Sequence, residues 1–160
     1  MVFKKNSLLG LAERKNFDYN KLSIKIRTGG YNTMAKFNIQ RAKGREGSTV
    51  YTYSAAGHNE CVPTRLWDKE GGGPNDIEGG KMIMGITYFV PGGHTEYANN
   101  PMESIYYILE GEMTMTIEGG EPVLLKEGDS FHCAGGVNKS AVNTGETVTK
   151  MLVCLLPPQG

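Results

Sequence analysis

From Val50 onward the chain is a series of short apolar segments, each ended by glycine or a turn cluster before it is long enough for a packed helix. VYTYS from Val50, KMIMGITYFV from Lys81, SIYYILE from Ser104, EMTMTIE from Glu112, EPVLLK from Glu121 and TVTKMLVCLLP from Thr147 all read as strands. Alternating, β-branched or aromatic runs of this length suit a pleated, half-buried surface. The breaks are EGGGPND at 70–76, PGG at 91–93, EGG at 118–120 and NTGE at 143–146. Glycine supplies the turn conformations that other residues resist, and the chain has 22 of them. With no long amphipathic helix after Gly85, the pattern predicts an all-β sandwich or barrel.

The 160 residues suffice for one sizeable core and show no internal repeat or linker. Lysine plus arginine and aspartate plus glutamate are balanced at 17 each, so no excess of positive charge points to nucleic acid or to a membrane surface. No apolar run reaches the length of a membrane span, and the opening MVFKKNSLLGLAERKNFD lacks the apolar core and cleavage site of a secretion signal. Cys61, Cys133 and Cys154 are odd in number and unrelated in spacing, which suits reduced thiols in a cytoplasmic protein.

Two stretches carry a more specific signal. PGGHTEYANNPMESIYYILEGE from Pro91 holds glycines at 92 and 111, and GDSFHCAGGVNKSAVN from Gly128 holds Gly128, Gly136 and Asn143. Their spacing resembles the two motifs of the cupin superfamily, which implies a double-sheet jelly-roll barrel (a double-stranded β-helix) and, by the family's habit, a homodimer. In that family the first motif supplies two histidines and a glutamate and the second a third histidine. Here those positions hold Ala98, Asn100, Ser104 and Lys139, and Ala134 replaces the second motif's proline. Ala98 has no donor atom, Asn100 and Ser104 offer neutral oxygens, and a protonated lysine repels a cation. The expectation is therefore a metal-free barrel without a cofactor.

If the barrel keeps a pocket, Ala98, Asn100, Ser104, Tyr106 and Lys139 are its expected ligand-binding residues, with Lys139 as an anion clamp. Alternation along the strand places His94 and Glu96 on the same face as Ala98 and Asn100, where a carboxylate can orient an imidazole for proton transfer. His94, Glu96 and His132 are the catalytic candidates. Cys133 reads as a packed thiol, and His58 in AAGHNEC as a surface histidine or a cap on the barrel mouth. The expected function is binding of a small carboxylate or enolisable molecule, with isomerase, lyase or decarboxylase chemistry. One alternative is a non-catalytic ligand-binding or structural cupin. Another is a metalloenzyme in which His94, Glu96 and His132, with Glu103, hold a displaced ion.

The first 33 residues have no counterpart in the resemblance and form an N-terminal extension ahead of a single domain at 34–160, with its core at about 50–156. MAKFNIQRAKG from Met34 reads like a natural start of translation, and an arm that adds a strand to a partner subunit is the other expectation.

Overall fold

The structure is a computed structural model that describes residues 23–28, 31–36 and 39–158. It divides into two units, Met1–Ile39 and Gln40–Gly160. In the first, β1 (Ser23–Thr28) and β2 (Tyr31–Lys36) pair antiparallel, with Lys25 opposite Met34. A chain beginning at Met34 would lack β1 and the first residues of β2. The preceding residues of the extension lie outside the described ones.

The second unit is all β, with no helix among the described residues. Its strands are β3 (Tyr51–Thr52), β4 (His58–Arg65), β5 (Ile83–Thr95), β6 (Ala98–Asn99), β7 (Glu103–Glu110), β8 (Glu112–Ile117), β9 (Val123–Lys126), β10 (Ser130–Cys133), β11 (Asn138–Val142) and β12 (Thr149–Leu156). Pairing follows the order β10-β7-β12-β5-β11-β8-β9, with β3 on β4, β4 on β5 and β6 on β11. The strand pairs are antiparallel, and the sheet curls into a nearly closed jelly-roll barrel.

Strand β5 makes the curl possible. Its first part, Ile83 to Phe89, pairs with β12, whereas His94 near its end pairs with Val142 of β11. Pro91, Gly92 and Gly93 form the corner between these neighbours. Gly92 has φ of 80°, and a Cβ on Gly93 would stand 2.3 Å from the Glu60 carbonyl oxygen. Asn143 braces the corner: its backbone exchanges hydrogen bonds with Gly92 and Gly93 at 2.9 Å, and its amide donates to the carbonyls of Phe89 and Thr147. The motif glycines at 92, 111, 128 and 136 all lie at φ between 80° and 90°, a region that side chains disfavour. The motif spacing therefore records turns and bracing that the barrel needs whatever its ligand.

The core follows from alternation. On β7, Ser104, Tyr106 and Ile108 point inward and are buried, while Ile105, Tyr107 and Leu109 face out. Met113 and Met115 of β8, Met151 of β12 and Phe89 of β5 complete the packed interior with Leu125, Cys133 and Ala141. Full burial of side chains of this size contributes roughly 1.5–3 kcal/mol each.

Candidate functional site

The inner face of the barrel does not close completely. It encloses a cavity of about 360 Å³ whose apolar surface comes from Phe89, Met115, Ala141, Met151, Val153 and Leu155. Tyr53, Thr87, Thr95, Tyr106, Lys139 and Ser140 add polar groups to the wall. The more exposed lining residues, Ala56, Glu96, Ala98 and Asn99, mark the mouth, together with Gly57, His58 and Asn100.

Lys139 is the unusual member of this lining. Strand β11 holds it opposite Ala98 of β6 on one side and Ile117 of β8 on the other. The side chain is 7% exposed, and its Nζ has no hydrogen-bond partner among the described residues. No described carboxylate forms an ion pair with it. Glu103, one candidate counter-charge, is taken up by His132, and Glu96 lies over Gly57 at the mouth. A buried ammonium without an anion is costly, because it gives up hydration and receives nothing in return.

The residues at the usual metal positions do not fit a metal. Ala98 lines the cavity with a methyl group, and Asn100 Oδ1 already accepts from the Met102 N–H at 3.0 Å. Ser104 is fully buried, donates to the Met102 carbonyl at 3.1 Å and is not part of the cavity lining. Lys139 brings a donor where a metal needs a lone pair. Among the described residues, no group of three or more His, Cys, Asp or Glu side chains is placed to hold an ion.

The expected catalytic residues separate. Glu96 and Thr95 both line the cavity although they are adjacent, because strand pairing stops at Thr95 and resumes at Ala98. That break shifts the alternation counted back from Ala98. On β5, Thr87 and Phe89 and then Thr95 face inward, and His94 faces away. Its Nδ1 sits 3.1 Å from the Gly92 carbonyl, at the corner and not in the cavity. His132 is also outside: on the outward face of β10, opposite Ile105, it bonds Glu103 at 2.8 Å, with both side chains at least half exposed. The expected displaced-metal set of His94, Glu96, His132 and Glu103 is not brought together, since these side chains occupy three different places. Ser104 is likewise corrected from a cavity residue to a buried one.

His58 is the histidine that reaches the cavity. It opens β4 opposite Thr95, and its Nδ1 lies 3.2 Å from the Ala56 carbonyl. A carbonyl can only accept, so Nδ1 carries the proton and Nε2 of the neutral ring keeps its lone pair. Beside it the Glu96 N–H donates to the Gly57 carbonyl at 2.7 Å, which ties the two mouth residues together. Deeper, burial raises the Tyr106 phenol above its ordinary range, partly countered by Ser104. The phenol therefore serves as a neutral hydrogen-bonding group. Tyr53, Thr87, Thr95 and Ser140 were not expected in the site. Alternation in KMIMGITYFV could have found Thr87, two residues before the core Phe89, but nothing local marks Tyr53.

A family model for the cupin domain matches residues 85–155. Beta-D-galactosidase Rv1717 of Mycobacterium tuberculosis is 32% identical over 106 residues, covering 66% of this chain and 86% of that protein. A structure from Thermotoga maritima, described as a predicted oxalate decarboxylase, superposes with a TM-score of 0.57 at 25% identity, over 69% of this chain and 93% of its own. A cupin-2 domain from Rhodospirillum rubrum also reaches 0.57, at 14% identity, over 76% of this chain and 78% of its own. Motif spacing, barrel topology and these matches agree: the chain belongs to the cupin superfamily.

Proposed function

We propose that the barrel binds a small organic anion through Lys139 without a metal, and that His58 and Glu96 at the mouth move a proton on it. The observation that carries this reading is Lys139, which lines the cavity and whose buried Nζ has no hydrogen-bond partner among the described residues. An external carboxylate would supply the missing counter-charge and form a charge-assisted hydrogen bond. The similarity to a predicted oxalate decarboxylase supports a carboxylate-bearing ligand in general, though not oxalate itself.

The chemistry this suits is removal of a proton next to a carboxylate or carbonyl, the step shared by isomerases, lyases and enolising enzymes. The free Nε2 of His58 acts as base, Glu96 lines the same mouth, and Lys139 holds the negative charge that develops. The galactosidase name of the relative suggests glycoside hydrolysis. That chemistry ordinarily uses two carboxyl groups about 5 to 10 Å apart, and Glu96 is the one carboxylate among the described lining residues.

Binding and turnover are tested separately. Butyrate should raise the melting temperature and butyramide, which lacks the charge, should not; the effect should vanish in Lys139→Met. Equal effects of acid and amide would refute the anion site. In D2O a bound enolisable acid should exchange its α-proton, and His58→Gln should abolish exchange while retaining binding. A bound acid that never exchanges would leave a non-catalytic binding protein.

A further inference from the structure

We infer that the anion is a monosaccharide acid, a single carboxylate on a polyhydroxylated chain or ring of about six carbons. This rests on the anion reading above and narrows it by what else lines the cavity.

Size sets the first limit. At about 30 Å³ per water in the liquid, a cavity of about 360 Å³ has room for about twelve water-sized groups. A two- or three-carbon acid would leave most of it unfilled, whereas an acid of about six carbons fits within it and fills a larger share. Charge sets the second. Lys139 is the one lysine or arginine among the described lining residues, and Glu96 at the mouth repels a second negative group. Among the described residues there is no helix N-terminus, and no arginine lines the cavity, to take a phosphate dianion. The ligand therefore carries one carboxylate.

The remaining polar groups set the third. The hydroxyls of Tyr53, Thr87 and Ser140 and the amide nitrogen of Asn100 have no side-chain hydrogen-bond partner among the described residues, yet all four residues line the cavity. Neutral groups that mostly both donate and accept match alcohol hydroxyls better than hydrocarbon or a second charge. Val153 and Leu155, half-buried in the lining, offer an apolar surface for the C–H face of a sugar. The sugar-directed name of the 32% identical relative accords with this pattern.

The test compares D-galacturonate and D-gluconate with butyrate and with neutral D-galactose, by calorimetric or thermal-shift titration of the full chain and of Lys139→Met, Thr87→Val and Ser140→Ala. At least one sugar acid should bind tenfold or more tightly than butyrate and than galactose. Lys139→Met should lower its affinity by tenfold or more, whereas Thr87→Val or Ser140→Ala should weaken the sugar acid and leave butyrate unchanged. If butyrate binds as tightly as both sugar acids, with the same dependence on Lys139, the sugar-acid inference fails and the anion site stands. If no acid binds, or if galactose binds as well as the acids and ignores Lys139→Met, both fail.

Discussion

Lys139 and Ala98 are cross-strand partners at two positions where the family ordinarily sets histidines. The pair is complementary, because the small alanine leaves space beside the long lysine and neither offers a lone pair to a metal. Protein purified without chelators should accordingly hold far less than one equivalent of manganese, iron, nickel or zinc; stoichiometric metal that survives dialysis would contradict the reading. Tyr106 gives a pH test. Its folded-state pKa lies above 10.0 because of burial, so the neutral phenol contributes stability that is complete below about pH 10 and is lost as pH rises through the folded value. Tyr106→Phe should remove that part of the alkaline loss in denaturant titrations. Burial likewise raises the Cys61 and Cys154 thiols, so both should alkylate more slowly at pH 8 than a free cysteine. At this scale the sequence revealed Lys139, because a known spacing singled it out. It did not reveal His58 as a cavity residue, because that placement depends on β4 meeting β5 across 37 residues of chain, from His58 to Thr95.

β7 and β8 were legible because each has one buried face and alternates along it, so Tyr106 could be placed beside Ser104 and opposite in sense to Ile105 and Tyr107; β12 alternates only over Thr149–Met151 and was legible from its apolar run. β4 was missed as a strand for a local reason. Its register shifts between Asn59 and Cys61, where Glu60 adopts φ of 50°, and the bulge disrupts the two-residue period. β10 and β11 were recognised as motif residues but not as strands, being short and rich in polar side chains. The same kind of irregularity misplaced His94, since the interruption between Thr95 and Ala98 is invisible to a count by twos. Close backbone approaches make the β4–β5 pairing testable. A Cβ on Gly85 would lie 2.0 Å from the Thr64 carbonyl oxygen, so Gly85→Ala has to push β4 away from β5. Removal of Asn143 leaves the buried carbonyl of Phe89 without its side-chain donor. Gly85→Ala and Asn143→Ala should each destabilise the fold by about 1–3 kcal/mol or more in denaturant unfolding, through strain or an unsatisfied polar group. A loss below about 0.5 kcal/mol in both would mean that neither the β4–β5 pairing nor the corner is held as described.

Over the whole barrel the inner face carries the cavity and part of the outer face is apolar, with Ile105 51%, Tyr107 41% and Leu109 39% exposed in a row on β7. We propose that a second copy of the chain covers this row, as the resemblance to dimeric cupins implies. Light scattering should then give twice the 17.5 kDa chain mass, and Tyr107→Glu should return it to one. Among the described residues no helix is long and apolar enough to cross a membrane. The central claim, that a lost metal site became a receptor for an anion, concerns the stability of the entire fold, because an unpartnered buried cation burdens the free protein and rewards the bound one. The most direct measurement is the unfolding free energy of the wild type and Lys139→Met, each with and without a saturating carboxylate ligand. The account predicts that the ligand-free variant is as stable as the wild type or more so, and that the ligand stabilises the wild type alone. A ligand-free variant destabilised by about 3–5 kcal/mol, the cost of breaking an internal buried ion pair, or one stabilised by the ligand as much as the wild type, would contradict it.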